Sequence, residues 1–174
     1  MQDQPAPADI VRLSAPAAEG VPNNPALPAV VMRGAAEPSP AALRRLFAAH
    51  GWGGMWQWSI FRYHHYHPDA HEALACVAGN AEVTLGGPAG DTVAVEAGDV
   101  MVLPAGYGHC LITSSDDFSV CGAYPAGQED YSTCRAGELP LDEAARRIAD
   151  VPLPRMDPVF GARGPLGAAW GLAR

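Results

Sequence analysis

From Trp58 to Tyr124 this chain is cut into short pieces by turn-forming residues: Gly79-Asn80, Gly86-Gly87-Pro88, Ala97-Gly98-Asp99 and Pro104-Ala105-Gly106. Glycine opens positive φ, while proline fixes φ and removes a donor, so no long helix can run through such a segment. The pieces between read as strands over Trp58–His67, Glu72–Val77, Ala81–Leu85, Thr92–Glu96, Val100–Leu103 and Phe118–Tyr124. Many short strands with regular punctuation indicate an all-β sandwich or barrel. The 174 residues suffice for one domain with a real core.

The flanks read differently. Residues 1–25 form an Ala- and Pro-rich arm whose short alternation at Ile10-Val11-Arg12-Leu13 predicts one edge strand. The barrel and a helix before it are expected over residues 26–135. Asn23-Asn24-Pro25 is a turn signal, and Ala29–Met32 a short buried strand. Ser39 as N-cap and Pro40 at the first position open a helix over about 40–50, which Gly51 stops. Trp52 and Trp56 then flank a turn containing Gly53 and Gly54. Residues 136–174 hold a second helix, Leu141–Asp150, and a tail too rich in Pro and Gly for regular structure, pinned on the barrel by Trp170.

Two stretches carry the chemistry. One reads His65-x-His67-x4-Glu72-x6-Gly79, the other Gly98-x5-Pro104-x-Gly106-x2-His109. In a strand, residues i and i+2 share a face, so His65 and His67 project together. Pro68-Asp69 breaks that strand and lets Glu72 start the next one in phase. The bend at Pro104 and Gly106 delivers His109 from a third direction. Three imidazoles and a carboxylate suit one divalent transition metal, Fe, Mn, Ni or Zn. Four protein ligands on a six-coordinate ion leave positions for water, a bidentate substrate or dioxygen.

Other residues compete for a place. His71, beside Glu72, is the rival ligand, replacing Glu72 or supporting it from behind; strand alternation alone turns it outward. Tyr63 shares the phase of His65 and His67 and is the candidate catalytic residue, as a proton donor or substrate contact, against a plain core role for its ring. Cys76 shares the phase of Glu72 and fits as a small apolar filler. Cys110 and Arg62 point away from the site.

Composition removes several functions. The net charge is −8 with no basic cluster, which argues against nucleic acid or an anionic membrane as partner. All positive residues are arginine, so lysine Schiff-base chemistry is excluded. The start, MQDQPAPADIVRL, has no charged region followed by an apolar one, as a signal peptide would. The four cysteines form no CxxC and read as free thiols in a reducing compartment, with the cytoplasm the expected location.

These residues resemble the cupin superfamily, whose two signatures are G-x5-H-x-H-x3,4-E-x6-G and G-x5-P-x-G-x2-H-x3-N. His65, His67, Glu72 and His109 match its metal-ligand positions, and Gly79, Gly98, Pro104 and Gly106 its turns. Ser59 stands where the first glycine would be and Thr113 where the asparagine would be. The runs PNNPALP, HHYHPDAHEAL, GDVMVLPAGYGHC and DDFSVCGAYPAGQ are similar to the small single-domain bacterial cupins called YjlB-like proteins. That resemblance implies a double-stranded β-helix barrel of the jelly-roll type, and a homodimer, but no particular reaction. Two functions follow as expectations. One is a metal-dependent enzyme, dioxygenase-like or a Lewis-acid isomerase or lyase, on a small organic molecule. The other is a non-catalytic module that binds a small molecule or a metal.

Overall fold

A computed structural model describes residues 9–173; the first eight residues of the predicted arm lie outside that range. The strands are β1 (Ile10–Leu13), β2 (Ala29–Met32), β3 (Trp52–Trp58), β4 (His65–Tyr66), β5 (Glu72–Ala78), β6 (Asn80–Leu85), β7 (Asp91–Glu96), β8 (Val100–Leu103), β9 (His109–Ser114), β10 (Ser119–Pro125) and β11 (Cys134–Arg135). The helices are α1 (Pro40–Ala49), α2 (Leu141–Ala149) and α3 (Pro165–Trp170). One sheet runs β1-β2-β8-β5-β10-β3 and the other β11-β4-β9-β6-β7, every pairing antiparallel. The two face each other as a jelly-roll barrel. No helix among the described residues is long and apolar enough to cross a membrane.

The residue patterns explain which sheet is covered. β2 and β8, AVVM and VMVL, are buried at every position. Val31, Met101 and Leu103 face the barrel interior with Leu74 and Leu85. Val30, Val100 and Val102 face outward, where Leu43 and Phe47 of α1, Trp52, Leu166 and Trp170 cover them. β7 instead alternates: Val93 and Val95 point inward, while Thr92, Ala94 and Glu96 are exposed. An antiparallel sheet with one solvated face reads this way.

The helix reading was accurate at its start. Ser39 Oγ accepts a hydrogen bond from Ala42 N–H at 3.3 Å, and Pro40 is the first helical residue. α2 places Asp142 and Glu143 in its first turn and Arg146 and Arg147 in its last, matching the helix dipole.

Four expectations are corrected. The stretch Trp58–His67 is not one strand: β3 ends at Trp58, residues 59–64 are irregular, and β4 is only His65–Tyr66. Gly53-Gly54 is not a turn but part of β3. Gly54 has φ of 65° where the β3–β10 register shifts, so it forms a bulge inside the strand. β9 and β11 escaped the sequence reading, because their pairing partners are distant in the chain. The tail is also less irregular than expected, since α3 forms between Pro165 and the left-handed Gly171. Trp170 does pin it, donating from Nε1 to the Pro28 carbonyl at 2.8 Å.

The turn at Asn23-Asn24 proves to be structural in a stronger sense than a turn. Both side chains are buried. Asn23 donates to Pro16 O (2.9 Å) and Gly86 O (3.0 Å) and accepts from Gly108 N–H at 3.0 Å. Asn24 donates to Ala105 O at 3.1 Å and accepts from Ala26 and Leu27 N–H. Together they clamp the loop 104–108 that leads into His109. Gly106 (φ 86°) sits under this clamp, where an added Cβ would lie 2.3 Å from Ile148 Cδ1 and 2.7 Å from Asn23 O. Asn23→Ala strands a buried carbonyl and a buried N–H, so we expect a loss of about 3 kcal/mol of stability. Urea unfolding should show a lower midpoint at an unchanged slope.

Candidate metal centre

His65 reaches the barrel interior from β4, His67 from just after it, His109 from the start of β9 and Glu72 from the start of β5. His65 and His109 are direct partners in the β4–β9 pairing, with ring centroids 4.0 Å apart. One ligand atom from each of His65, His67 and His109 lies within 4.8 Å of the others, and all three residues are buried. Glu72 sits against this trio: Oε1 is 3.1 Å from His109 Nε2 and Oε2 is 3.3 Å from His67 Nε2.

The tautomers follow from the partners. His65 Nδ1 faces the Tyr63 carbonyl at 3.0 Å, His67 Nδ1 the Ser132 carbonyl at 2.9 Å, and His109 Nδ1 the Tyr107 carbonyl at 3.1 Å. A carbonyl only accepts, so each Nδ1 must carry the hydrogen, and each neutral ring keeps its lone pair on Nε2. Glu72 Oε2 accepts a 2.6 Å hydrogen bond from the Tyr124 hydroxyl, whereas buried Oε1 has no hydrogen-bond partner. Three lone pairs and a free carboxylate oxygen therefore gather in one buried place. Nitrogen and oxygen donors of this kind fit a divalent first-row metal ion.

Charge couples these groups. Burial pushes the Glu72 carboxyl up, but the His67 charge and the contacts with His109 and His67 outweigh it and hold it well below the usual range. Burial, the largest influence, pulls His67 down, but the Glu72 charge and hydrogen bond, the Ser132 carbonyl and Asp69 together give a net rise. His65 is pushed down to about 2, by burial first and then by His109, against the Tyr63 carbonyl bond. Glu72 is thus anionic and His65 neutral, the states a metal ligand needs.

The remaining candidates separate. His71 is turned to the other side of β5. Its Nδ1 accepts from Ala105 N–H at 2.9 Å and its ring packs on Trp170 at 4.8 Å, so it braces the loop before His109 and is not a rival for the cluster. Strand alternation is the physical reason. Tyr63 lies in the irregular segment, stacked on Phe61 at 4.8 Å with the Arg135 guanidinium 3.9 Å over its ring, and does not line the pocket. Its expected shared phase is void because no strand runs through it. Cys76 does face the interior, among apolar neighbours.

Two tyrosines were missed. Tyr124, on β10, holds Glu72, and its own oxygen accepts from Trp56 Nε1 at 2.7 Å. Burial, then the Glu72 charge, raises its pKa, so it remains a phenol and a donor. Tyr131 stacks on Tyr124 at 4.1 Å and meets the His67 ring edge-on at 4.7 Å. Gly122 makes room for Trp56: a Cβ there would fall 2.3 Å from indole carbons. The β5–β10 register pairs Leu74 with Gly122 and Ala73 with Ala123, so one step on Tyr124 comes opposite Glu72. That pairing is long-range, and nothing local in the sequence announces it.

A pocket of about 270 Å³ opens over the cluster, with Trp58, Phe61, Tyr131 and Thr133 among its walls and His65, His67, Glu72 and His109 in its lining.

Compared with known proteins, residues 60–121 match the family described as cupin domain. A Bacillus subtilis (strain 168) protein called uncharacterized protein YjlB is 40% identical over 151 residues, covering 86% of this chain and 90% of its own. Among solved structures, procruciferin, an 11S globulin from Brassica napus, aligns at a TM-score of 0.40 and 15% identity, over 74% of this chain and 36% of its own. Oxalate decarboxylase from Bacillus subtilis aligns at 0.36 and 21% identity, over 62% of this chain and 22% of its own. Acireductone dioxygenase from Bacillus anthracis, with a cadmium ion in its active centre, aligns at 0.34 and 22% identity, over 48% of this chain and 56% of its own. In each case the chain spans less than two thirds of the solved protein.

Tyr124→Phe keeps the ring and removes the donor on Glu72 Oε2. We expect Zn(II) to bind about 10–100-fold more weakly, with the thermal unfolding transition still cooperative. Competition against a chromophoric chelator measures it.

Proposed function

The chain belongs to the cupin family, and on that footing we propose a metal-dependent enzyme that holds one divalent first-row transition metal on His65, His67, His109 and Glu72 and acts on a small organic molecule. The observation that carries this reading is the convergence of three Nε2 lone pairs with the unpartnered Glu72 Oε1 in a buried site. Acceptors facing acceptors in a buried site are costly, and a cation removes the cost. An ion in this place supplies Lewis acidity and, if redox-active, electrons.

The chain's own residues do the rest. The backbone carbonyls of Tyr63, Ser132 and Tyr107 fix the three rings. Tyr124, steadied by Trp56, keeps Glu72 in one orientation through Oε2 and leaves Oε1 free to turn to the cluster. Trp58 and Phe61, both exposed, line the pocket and give it an aromatic wall. An open pocket over the ligands favours chemistry over a purely structural site, because structural metal sites close all their positions.

The free, buried cysteines support a reducing compartment such as the cytoplasm. The outer side of β1 carries no further strand among the described residues, which supports a homodimer joined through the arm.

Untagged protein purified without metal columns should carry about one transition-metal ion per chain by elemental analysis, as one ligand set implies. His65→Ala should lose it while its far-UV circular dichroism stays unchanged. Stoichiometric metal retained by that variant would overturn the site.

A further inference from the structure

We propose that Arg147, on α2 and outside the barrel, is a positioning residue for the metal ligand His67: its ion pair with Asp69 fixes Ser132, and the Ser132 carbonyl orients the imidazole. This rests on the metal-site reading above and names a residue that tunes that site.

The three imidazoles are not held alike. His65 and His109 each bond, through Nδ1, a carbonyl two residues earlier in the chain, those of Tyr63 and Tyr107. Such an acceptor comes with the ligand's own segment. His67 instead bonds the carbonyl of Ser132, 65 residues away, at 2.9 Å, with the Thr133 hydroxyl a longer contact at 3.4 Å. The ring of His67 is therefore only as well placed as Ser132 is.

No strand ladder fixes Ser132, because residues 131–133 lie between β10 and β11 and belong to neither. Side chains do so instead. Asp69, in the turn that follows His67, accepts the Ser132 N–H on Oδ1 at 2.9 Å. Arg147 Nη2 donates to Asp69 Oδ2 at 2.9 Å and to Ser132 Oγ at 3.1 Å. The amide, the hydroxyl and the carbonyl of Ser132 are thus all engaged, two of them through charged partners, whose hydrogen bonds are the stronger kind. The same pair ties the turn after His67 to the loop that orients its ring.

Consecutive residues of α2 therefore brace two ligands. Ile148 packs on Gly106 ahead of His109, and Arg147 holds the loop beside His67. The contacts differ in kind. Ile148 is buried and apolar, whereas the Arg147 and Asp69 side chains are 37% and 30% exposed, so their link can be cut without opening the core. Arg146 supplies a matched comparison: it has the same charge in the same helical turn, is 70% exposed, and its ion pair, with Asp142, stays within α2.

The test measures Zn(II) affinity of the full-length protein by competition with a chromophoric chelator, alongside thermal unfolding and the visible absorption of the Co(II)-loaded form. Arg147→Gln should weaken Zn(II) about fivefold or more, at the lower end of what losing the partner of a metal-bound histidine costs, and should shift the Co(II) bands. Arg146→Gln should change affinity by less than about twofold. Asp69→Asn should reproduce the Arg147→Gln effect from the other side of the pair, and it decides the matter if Arg147→Gln does not fold. The double variant should bind no more weakly than the weaker single, since both substitutions cut one linkage. A purely structural role would lower the unfolding midpoint and leave affinity and Co(II) bands at parent values, which would overturn the proposal. Equal losses in Arg146→Gln and Arg147→Gln would overturn it too, by making the effect one of net charge. Failure of the parent to take up Zn(II) or Co(II) would instead overturn the metal site, and this proposal with it.

Discussion

The centre depends on one pairing across the barrel. His65 of β4 sits opposite His109 of β9, and the Gly106 N–H bonds the His67 carbonyl at 2.8 Å, tying the two histidine-bearing stretches together. β4 is only two residues long, so this registration is not enforced by a long ladder. It is enforced from outside. Asn23 and Asn24 clamp the loop before His109, His71 accepts from Ala105 in the same loop, and Ile148 of α2 packs on Gly106. Polar groups far from the chemistry thus set its geometry, and each is buried where a lost partner costs the full desolvation of the one left behind.

That arrangement leaves an electrostatic imbalance by construction. Every Nδ1 is spent on a carbonyl, so nothing in the cluster except a proton or a cation can satisfy the Nε2 atoms and Glu72 Oε1 at once. The Glu72 charge draws the His67 pKa upward against burial, and His67 and His109 in turn hold the Glu72 carboxyl low. Protons and a metal ion therefore compete for the same pair. A core built only for stability would fill this volume with leucine.

How much of this could be read from the sequence depends on how local each signal is. Ser39-Pro40 marked the start of α1 because capping acts within a few residues. Val100–Leu103 and Ala29–Met32 stood out as apolar runs bounded by turn residues, and the structure has them as β8 and β2. The spacing of His65, His67, Glu72 and His109 brought these residues to attention, and the structure gathers them. The phase argument for Tyr63 does not hold, because it assumed unbroken alternation through a segment that is not a strand. Tyr124 was invisible for the opposite reason: its partner Glu72 lies 52 residues away, and only the β5–β10 register brings them together. Gly53-Gly54 misled because a bulge and a turn use the same residue, and only the pairing partner distinguishes them.

The two sheets contribute unequally, and the division is physical. Glu72, Tyr124 and Trp56 come from the six-stranded sheet, whose outer face is sealed by α1, Trp52 and Trp170. His65 and His109 come from the five-stranded sheet, whose outer face meets solvent at Thr92, Ala94 and Ile112. The carboxylate and its hydrogen-bonded support are therefore mounted on the wall covered on its outer side, and two of the imidazoles on the wall whose outer side is solvated. Gly122 expresses the same logic at one residue. Its missing side chain lets the Trp56 indole lie against β10, which aims Nε1 at Tyr124 and so steadies Glu72. A bulge, a glycine, an indole and a phenol, none of them a metal ligand, thus decide where a single carboxylate oxygen points.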